Sequence, residues 1–342
     1  MLKRLGRSAV LLYVRYQQLS QFYGRPVVAD YALPAGSDQT HDQREHRMTS
    51  KQDKTVSLVL GSGGARGLAH IGVIRWLEEH DYHIRSISGC SIGALIGGIY
   101  AAGKLEEYEQ WVRSITRMDI MALLDLTWDR GGLVRGDKLI ETLVDLVGDV
   151  RVEELDLPFT AVATDLQSQK EVWINRGRLF DAIRASIAIP LLFTPFRYKG
   201  LTLVDGGVLN PVPIAPTFHD RTSMTLAVNL NGALTRPEQV KPPEHSATEL
   251  ISPLRSSINR FIQRLQPDRS NDSEHDWDAY DVAIEAFDAM QSTITRQKLA
   301  VYPPDRVIEI GRNACQLLEF HRAAEMIDLG YQKASEVLEP RR

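Results

Sequence analysis

Two cysteines in 342 residues, Cys90 and Cys315, are too few for a disulfide framework. Neither belongs to a C-x-x-C pair and no H-E-x-x-H string is present, so thiol redox and zinc chemistry lose their usual sequence basis. The expectation is a reducing setting, the cytoplasm, with no metal and no cofactor. Charge of one sign is lacking too: 40 basic and 44 acidic residues leave a formal net charge of -4, which gives no global attraction for nucleic acid. Long apolar runs are also absent. The longest, Ile92 to Ala102, is about half of a spanning helix and reads as a buried one. What is present is 43% hydrophobic residues, enough to bury the core of one large domain with attachments.

The N-terminal stretch MLKRLGRSAVLLYVRYQQLSQFYG carries Lys3, Arg4, Arg7 and Arg15, with no acid before Asp30. Its apolar part is short, Arg15 interrupts it and no A-x-A site follows, which argues against a cleaved signal. A basic segment can touch anionic lipid or can be an undocked extension, and both readings stay open. Gly36 to Lys54 is polar and aperiodic, a linker by composition. The expected division is an extension and linker over 1–54, a catalytic core over 55–230, a polar insertion over 231–280, and a completing segment over 281–342.

TVSLVL (55–60) has the β-branched content and length of a buried strand. The glycine loop GSGGARG follows, then LAHIGVIRWLEEH, which sets Leu68, Ile71, Ile74 and Leu77 on one helical face. IRSIS (84–88) reads as a second strand running into SISGCSIGALIGG and another helix. Strand, loop, helix, strand, turn, helix predicts an α/β domain with a mainly parallel sheet. Further strands are expected at FTAVATDL (159–166), KEVWIN (170–175), LTLVDGG (201–207), MTLAVNL (224–230) and RVIEI (306–310), with helices at GDKLIETLVDLVG, near FDAIRASIA and on both sides of RVIEI. A helix over 247–265 bears Arg255, Arg260 and Arg264, so it suits either a lid or an anionic membrane contact.

Gly89-Cys90-Ser91-Ile92-Gly93 is a G-x-S-x-G string between a predicted strand and a predicted helix, where a sharp turn requires small residues beside an exposed nucleophile. The loop Gly61 to Gly67 can be an oxyanion hole or a phosphate cradle, because glycines let backbone N–H groups approach a ligand. A dinucleotide frame read from Gly61 fails at Arg66, and G-K-[ST] is absent. In LTLVDGGVLNPVPI, Asp205 ends a strand ahead of Gly206 and Gly207, as a turn-former or a functional acid. A free aspartate near pKa 3.9 is a feeble base, and desolvation would improve it.

GSGGARG, GCSIG and DGG, in this order, resemble the patatin-like phospholipases, in particular bacterial members and the esterase domain of neuropathy target esterase. The resemblance runs from about Val56 to Pro213, with weaker echoes in MQSTITRQKLA and EFHRAAEMIDLGY. It implies a three-layer α/β/α patatin-like fold and a serine lipid acyl hydrolase of the phospholipase A or lysophospholipase type, with a phospholipid or lysophospholipid substrate and a peripheral membrane contact. It makes Ser91 the nucleophile, Asp205 the base and the loop at Ser62, Gly63 and Gly64 the oxyanion hole, with Arg66 holding the loop or a head group. The flanking motif glycines are Gly61, Gly67, Gly89, Gly93, Gly206 and Gly207. Many relatives have glycine where this chain has Ser62. Two alternatives are a Ser91-Asp205-His219 triad, with His321 also in the required order, and a silent lipid-binding or regulatory module of the same fold. Nothing in the sequence fixes the oligomeric state.

Overall fold

The computed structural model describes residues 54–124, 134–234 and 279–339. Strand β1, Thr55–Leu60, is buried along its whole length, so both of its faces are covered. Val56, Leu58 and Leu60 join Leu226, Val228 and Leu230 in the main core, while Val59 points the other way beside Ala227. This period-2 split puts β1 at the centre of the sheet. It pairs in parallel with β2 (His83–Cys90) on one side and with β7 (Met224–Gly232) on the other.

The eight-stranded sheet also contains β3 (Phe159–Asp165), β4 (Lys170–Ile174), β5 (Phe196–Tyr198), β6 (Leu201–Asp205) and β8 (Arg306–Gly311). β2 with β3 and β7 with β8 are parallel, whereas β4 and β6 run antiparallel to β3. Position along β3 matters for the site. β4 occupies one edge of it from Ala161 to Asp165. The other edge is therefore shared: Cys90 of β2 stands opposite Val162, and Asp205 of β6 stands opposite Ala163. The two strands arrive from opposite directions and end on consecutive rungs.

Helices cover both faces. Helices α1 (Ala69–Glu79) and α2 (Ile92–Ala101) close the main core together with α8 (Ala323–Leu338). Each fully buried Leu or Ile there contributes about 1.5–3 kcal/mol. Helices α1 and α8 touch backbone to backbone, since a Cβ on Gly72 would lie 1.9 Å from Ile327 O. On the opposite face α7 (Ala279–Val301) brings Leu299 against Val212 and Ile214. The expected mainly parallel, layered α/β/α architecture is what forms.

The expected strands are all found. Short edge strand β5 has no counterpart among them, and the other differences lie in the helices. The first helix starts one residue late, because Gly64–Leu68 winds as a 3-10 turn whose entry needs Gly64 at φ +57°. Helices α3 (Leu105–Ser114) and α4 (Arg117–Leu123) have no counterpart among the expected elements, although a Thr116/Asp119 capping box starts the second. Helix α5 (Asp137–Val147) and helix α6 (Leu179–Ser186) match the two expected between β2 and β5. The N-terminal extension and the arginine-bearing helix expected over 247–265 lie outside the described residues.

Candidate active site

β2 delivers Ser91 to the N-terminus of α2 in a sharp turn. Its φ of +55° and ψ of -124° lie outside the regions an ordinary side chain prefers. Such a conformation costs on the order of 1–3 kcal/mol and persists only where its surroundings impose it. The surroundings are glycines. A Cβ on Gly89 would meet Gly93 O at 2.4 Å, and one on Gly93 would meet Leu60 O at 2.1 Å. Both contacts are with backbone, so the G-x-S-x-G spacing is a packing requirement of the turn. Gly97 and Gly98 meet only side chains, which fits helix packing.

Asp205 reaches the same place at the end of β6 and has no solvent exposure. Its Oδ1 accepts from Gly207 N–H at 2.7 Å and faces the Cys90 thiol at 3.9 Å. Burial drives the Asp205 pKa up to about 7, against smaller opposing contributions from the Ser91 hydroxyl, the Gly207 amide and the Cys90 thiol. Oδ2 has no hydrogen bond of ordinary geometry. The Ser91 hydroxyl is near enough to act on the carboxyl but makes no hydrogen bond with Oδ2. Gly206 is required by the backbone of β3, since a Cβ there would lie 2.2 Å from Val162 O.

The glycine loop lies beside this pair. Gly61 N–H donates to Val228 O at 3.1 Å and Ser62 N–H to Pro211 O at 2.8 Å, so Gly63 and Gly64 remain as the loop's candidate donors. Gly67 packs on Ile92, the residue after Ser91. Arg66 is buried, donates to Gly63 O at 3.0 Å and to Arg312 O at 2.8 Å, and pairs with Asp288 at 3.6 Å. Its guanidinium clamps the loop. A small cleft borders Ser62, Gly63 and Gly64, and Ile189, Ile284, Phe287 and Leu317 form its apolar wall.

His70 and His321 have partners other than Ser91 and Asp205. His70 is fully buried under the loop with Nε2 2.9 Å from Gly61 O, and burial lowers its pKa to about 4, so it is a neutral structural group. His219 is exposed and adjoins Asp220, which accepts from Ser57 and Ser86. Ser86 precedes Ser91 on β2 by five positions, about 16 Å of strand. His219 thus belongs to the far end of the sheet from Ser91. His321 takes a hydrogen bond from Arg117 Nε at 3.2 Å in a 3-10 turn before α8.

Sequence reasoning missed several residues at this site. Gln291 of α7 donates weakly to Ser62 Oγ at 3.4 Å, and Lys298 of the same helix pairs with Glu171 at 2.6 Å. Glu171 also accepts from Asn210 at 2.9 Å. Ser186, at the end of α6, accepts from Ser91 N–H at 2.9 Å. None sits in a motif; only the tertiary fold brings them in.

Residues 58–218 match the model of the patatin-like phospholipase family. An uncharacterized NTE family protein of Mycobacterium tuberculosis is 38% identical over 337 residues, covering 86% of this chain and 94% of its own length. This chain belongs to the patatin-like phospholipase family. Lysophospholipase NTE1 of Saccharomyces cerevisiae is 29% identical over 225 residues, which is 59% of this patatin-like chain but 13% of that protein. Among solved structures, VipD from Legionella pneumophila aligns with 83% of the chain and 66% of its own at 14% identity and TM-score 0.43, too loose a likeness to argue from. Among the described residues of this family member, no helix is long and apolar enough to cross a membrane, and no cluster of His, Cys, Asp or Glu could hold a metal ion.

Proposed function

We propose that the protein is a serine lipid acyl hydrolase of the phospholipase A or lysophospholipase type, working through a Ser91-Asp205 dyad. The observation that carries this reading is the strained Ser91 turn beside a fully buried carboxyl whose pKa stands near 7. A base poised near the working pH is what general-base catalysis by a carboxylate needs. The relatives named lysophospholipase support the lipid class, and apolar residues border the glycine loop.

In the acylation step Ser91 Oγ attacks the ester carbonyl carbon while its proton passes to ionised Asp205. The carbonyl π pair moves onto oxygen, where the N–H groups of Gly63 and Gly64 and the N-terminus of α2 stabilise the charge. Collapse of the tetrahedral species expels the alkoxide of the glycerol-borne head group, which takes the proton from Asp205 and leaves an acyl-serine. Water then adds to the acyl carbon and loses its proton to Asp205, and Ser91 Oγ departs with that proton. The products are one alcohol and one fatty acid. The substrate reaches this cleft from a membrane or micelle surface, with the protein as a peripheral visitor.

Labelling with a fluorophosphonate probe tests the nucleophile, and hydrolysis of a panel of phospholipids and lysophospholipids tests the substrate. Wild type should label and Ser91→Ala should not; equal labelling of the two would remove the enzyme reading. A labelled enzyme that cleaves only water-soluble short-chain esters would remove the lipid class.

A further inference from the structure

Ser186 is fully buried at the C-terminus of α6. Its hydroxyl accepts from Ser91 N–H at 2.9 Å and donates to Val162 O at 2.6 Å. Both partners are ladder groups. Ile87 N–H donates to Pro158 O at 2.9 Å across the β2–β3 pair. Donors along a parallel edge alternate, so the next amides facing β3 are those of Gly89 and Ser91. With Gly89 opposite Ala161 and Cys90 opposite Val162, the next bond of a continuing strand would join Ser91 N–H directly to Val162 O. The Ser186 hydroxyl stands in that position.

We propose that Ser186 is a positioning residue, a hydroxyl wedge that ends β2 at the nucleophile and sets Ser91 at the height where it faces Asp205. The idea rests on the Ser91-Asp205 reading above. The wedge has a size: two hydrogen bonds meeting at an oxygen hold their end atoms roughly 4.5 Å apart, against about 2.9 Å for a direct ladder bond. Without it the ladder can zip one bond further. The chain would then flatten toward β geometry and surrender the positive φ of Ser91. The same short segment also holds the base. Asp205 N–H donates to Ala188 O at 2.9 Å, two residues beyond Ser186. One strip of chain therefore fixes the backbone of both members of the pair, which arrive on separate strands. The strip is itself secured from α6, where Arg184 donates to Arg135 O at 3.0 Å and to Thr194 O at 3.1 Å.

The test compares wild type with Ser186→Ala, Ser186→Thr and Ser91→Ala, using ester hydrolysis across pH and thermal unfolding. A nucleophile displaced by an ångström or so costs about 10²-fold in rate, so Ser186→Ala should lower kcat by about 10- to 100-fold with KM within about twofold. The acid limb of its pH profile should also move up, because the Ser91 hydroxyl that helps keep the Asp205 carboxyl ionised is withdrawn. Ser186→Thr keeps the hydroxyl and should restore most of kcat. A folded Ser186→Ala protein with wild-type kcat and an unmoved pH profile, losing only melting temperature, overturns the proposal. If the alanine variant does not fold, Ser186→Cys replaces the wedge by a weaker and longer thiol bridge, and wild-type kcat in that variant also overturns it. Activity surviving in Ser91→Ala removes the dyad and this inference together. A silent Ser91→Ala beside a fully active Ser186→Ala removes only the wedge.

Discussion

Replacing Asp205 by asparagine removes a titrating group from a site without solvent exposure and keeps an oxygen for the Gly207 amide. In the native protein the carboxyl titrates near 7; in the unfolded chain it returns to its ordinary value of about 3.8. Between these values the native state holds a proton that the unfolded state has released. Stability therefore falls as pH rises through this window and levels off above 7. Integrating the two titrations from pH 5 to pH 8.5, the wild type loses about 3 kcal/mol that the Asp205→Asn variant cannot lose. The substitution has its own penalty, because the new amide N–H groups occupy the side where Oδ2 has no partner, at about 1–3 kcal/mol. Asp205→Asn should thus be less stable than wild type by about 1–3 kcal/mol at pH 5 and equal to it or more stable by up to about 2 kcal/mol at pH 8.5, while inactive at both. In melting temperature the pH-dependent difference amounts to roughly 6 °C for a body of this size. Urea unfolding of both proteins at the two pH values measures it, and all other titrating groups cancel in the comparison. A stability difference that stays constant from pH 5 to pH 8.5 would refute a buried carboxyl with a raised pKa.

Hydrolysis by the wild type should rise with pH through about 7, since only ionised Asp205 can accept the serine proton, and a kcat profile flat from pH 5.5 to 8.5 would contradict this. Cys90→Ala deletes a thiol that helps hold the Asp205 pKa down, so that midpoint should move upward, by less than the burial effect, with the protein still active; a downward shift would count against the contact. Gly93→Ala forces a methyl into Leu60 O at 2.1 Å and should abolish probe labelling and lower stability by about 3 kcal/mol or more, read by urea unfolding. His219→Ala should leave kcat within about twofold, because this exposed residue belongs to the other end of the sheet; a loss of several orders of magnitude would restore the triad.

Ser91 and Asp205 were legible as candidates because each is announced by glycines next to it in sequence, and the contacts of Gly89, Gly93 and Gly206 explain why those glycines are there. The parallel core was legible from the burial of TVSLVL and from strand-helix alternation. What the chain does not announce is side-chain partnership across elements. Ser186 reads as the end of an amphipathic helix, and Gln291 and Lys298 as polar positions on another. By its motif Ser62 is one of three amide donors, yet its N–H is engaged by Pro211, a contact no local pattern encodes. The edge sharing on β3 was equally silent, since the run LTLVD has the same alternation whichever edge it joins.

That shared edge has a consequence for how such a protein can change over time. Because Cys90 and Asp205 stand opposite neighbouring residues of β3, the gap between the Ser91 turn and Asp205 is measured by a single peptide step of a third strand. The long connections between the two do not enter that measurement. Under the proposed function, segments around the cleft can lengthen, shorten or swap their apolar residues to suit a different acyl chain without retuning the distance between Ser91 and Asp205. β3 acts as the protein's ruler, and the freedom to vary substrate is inherited from its rigidity.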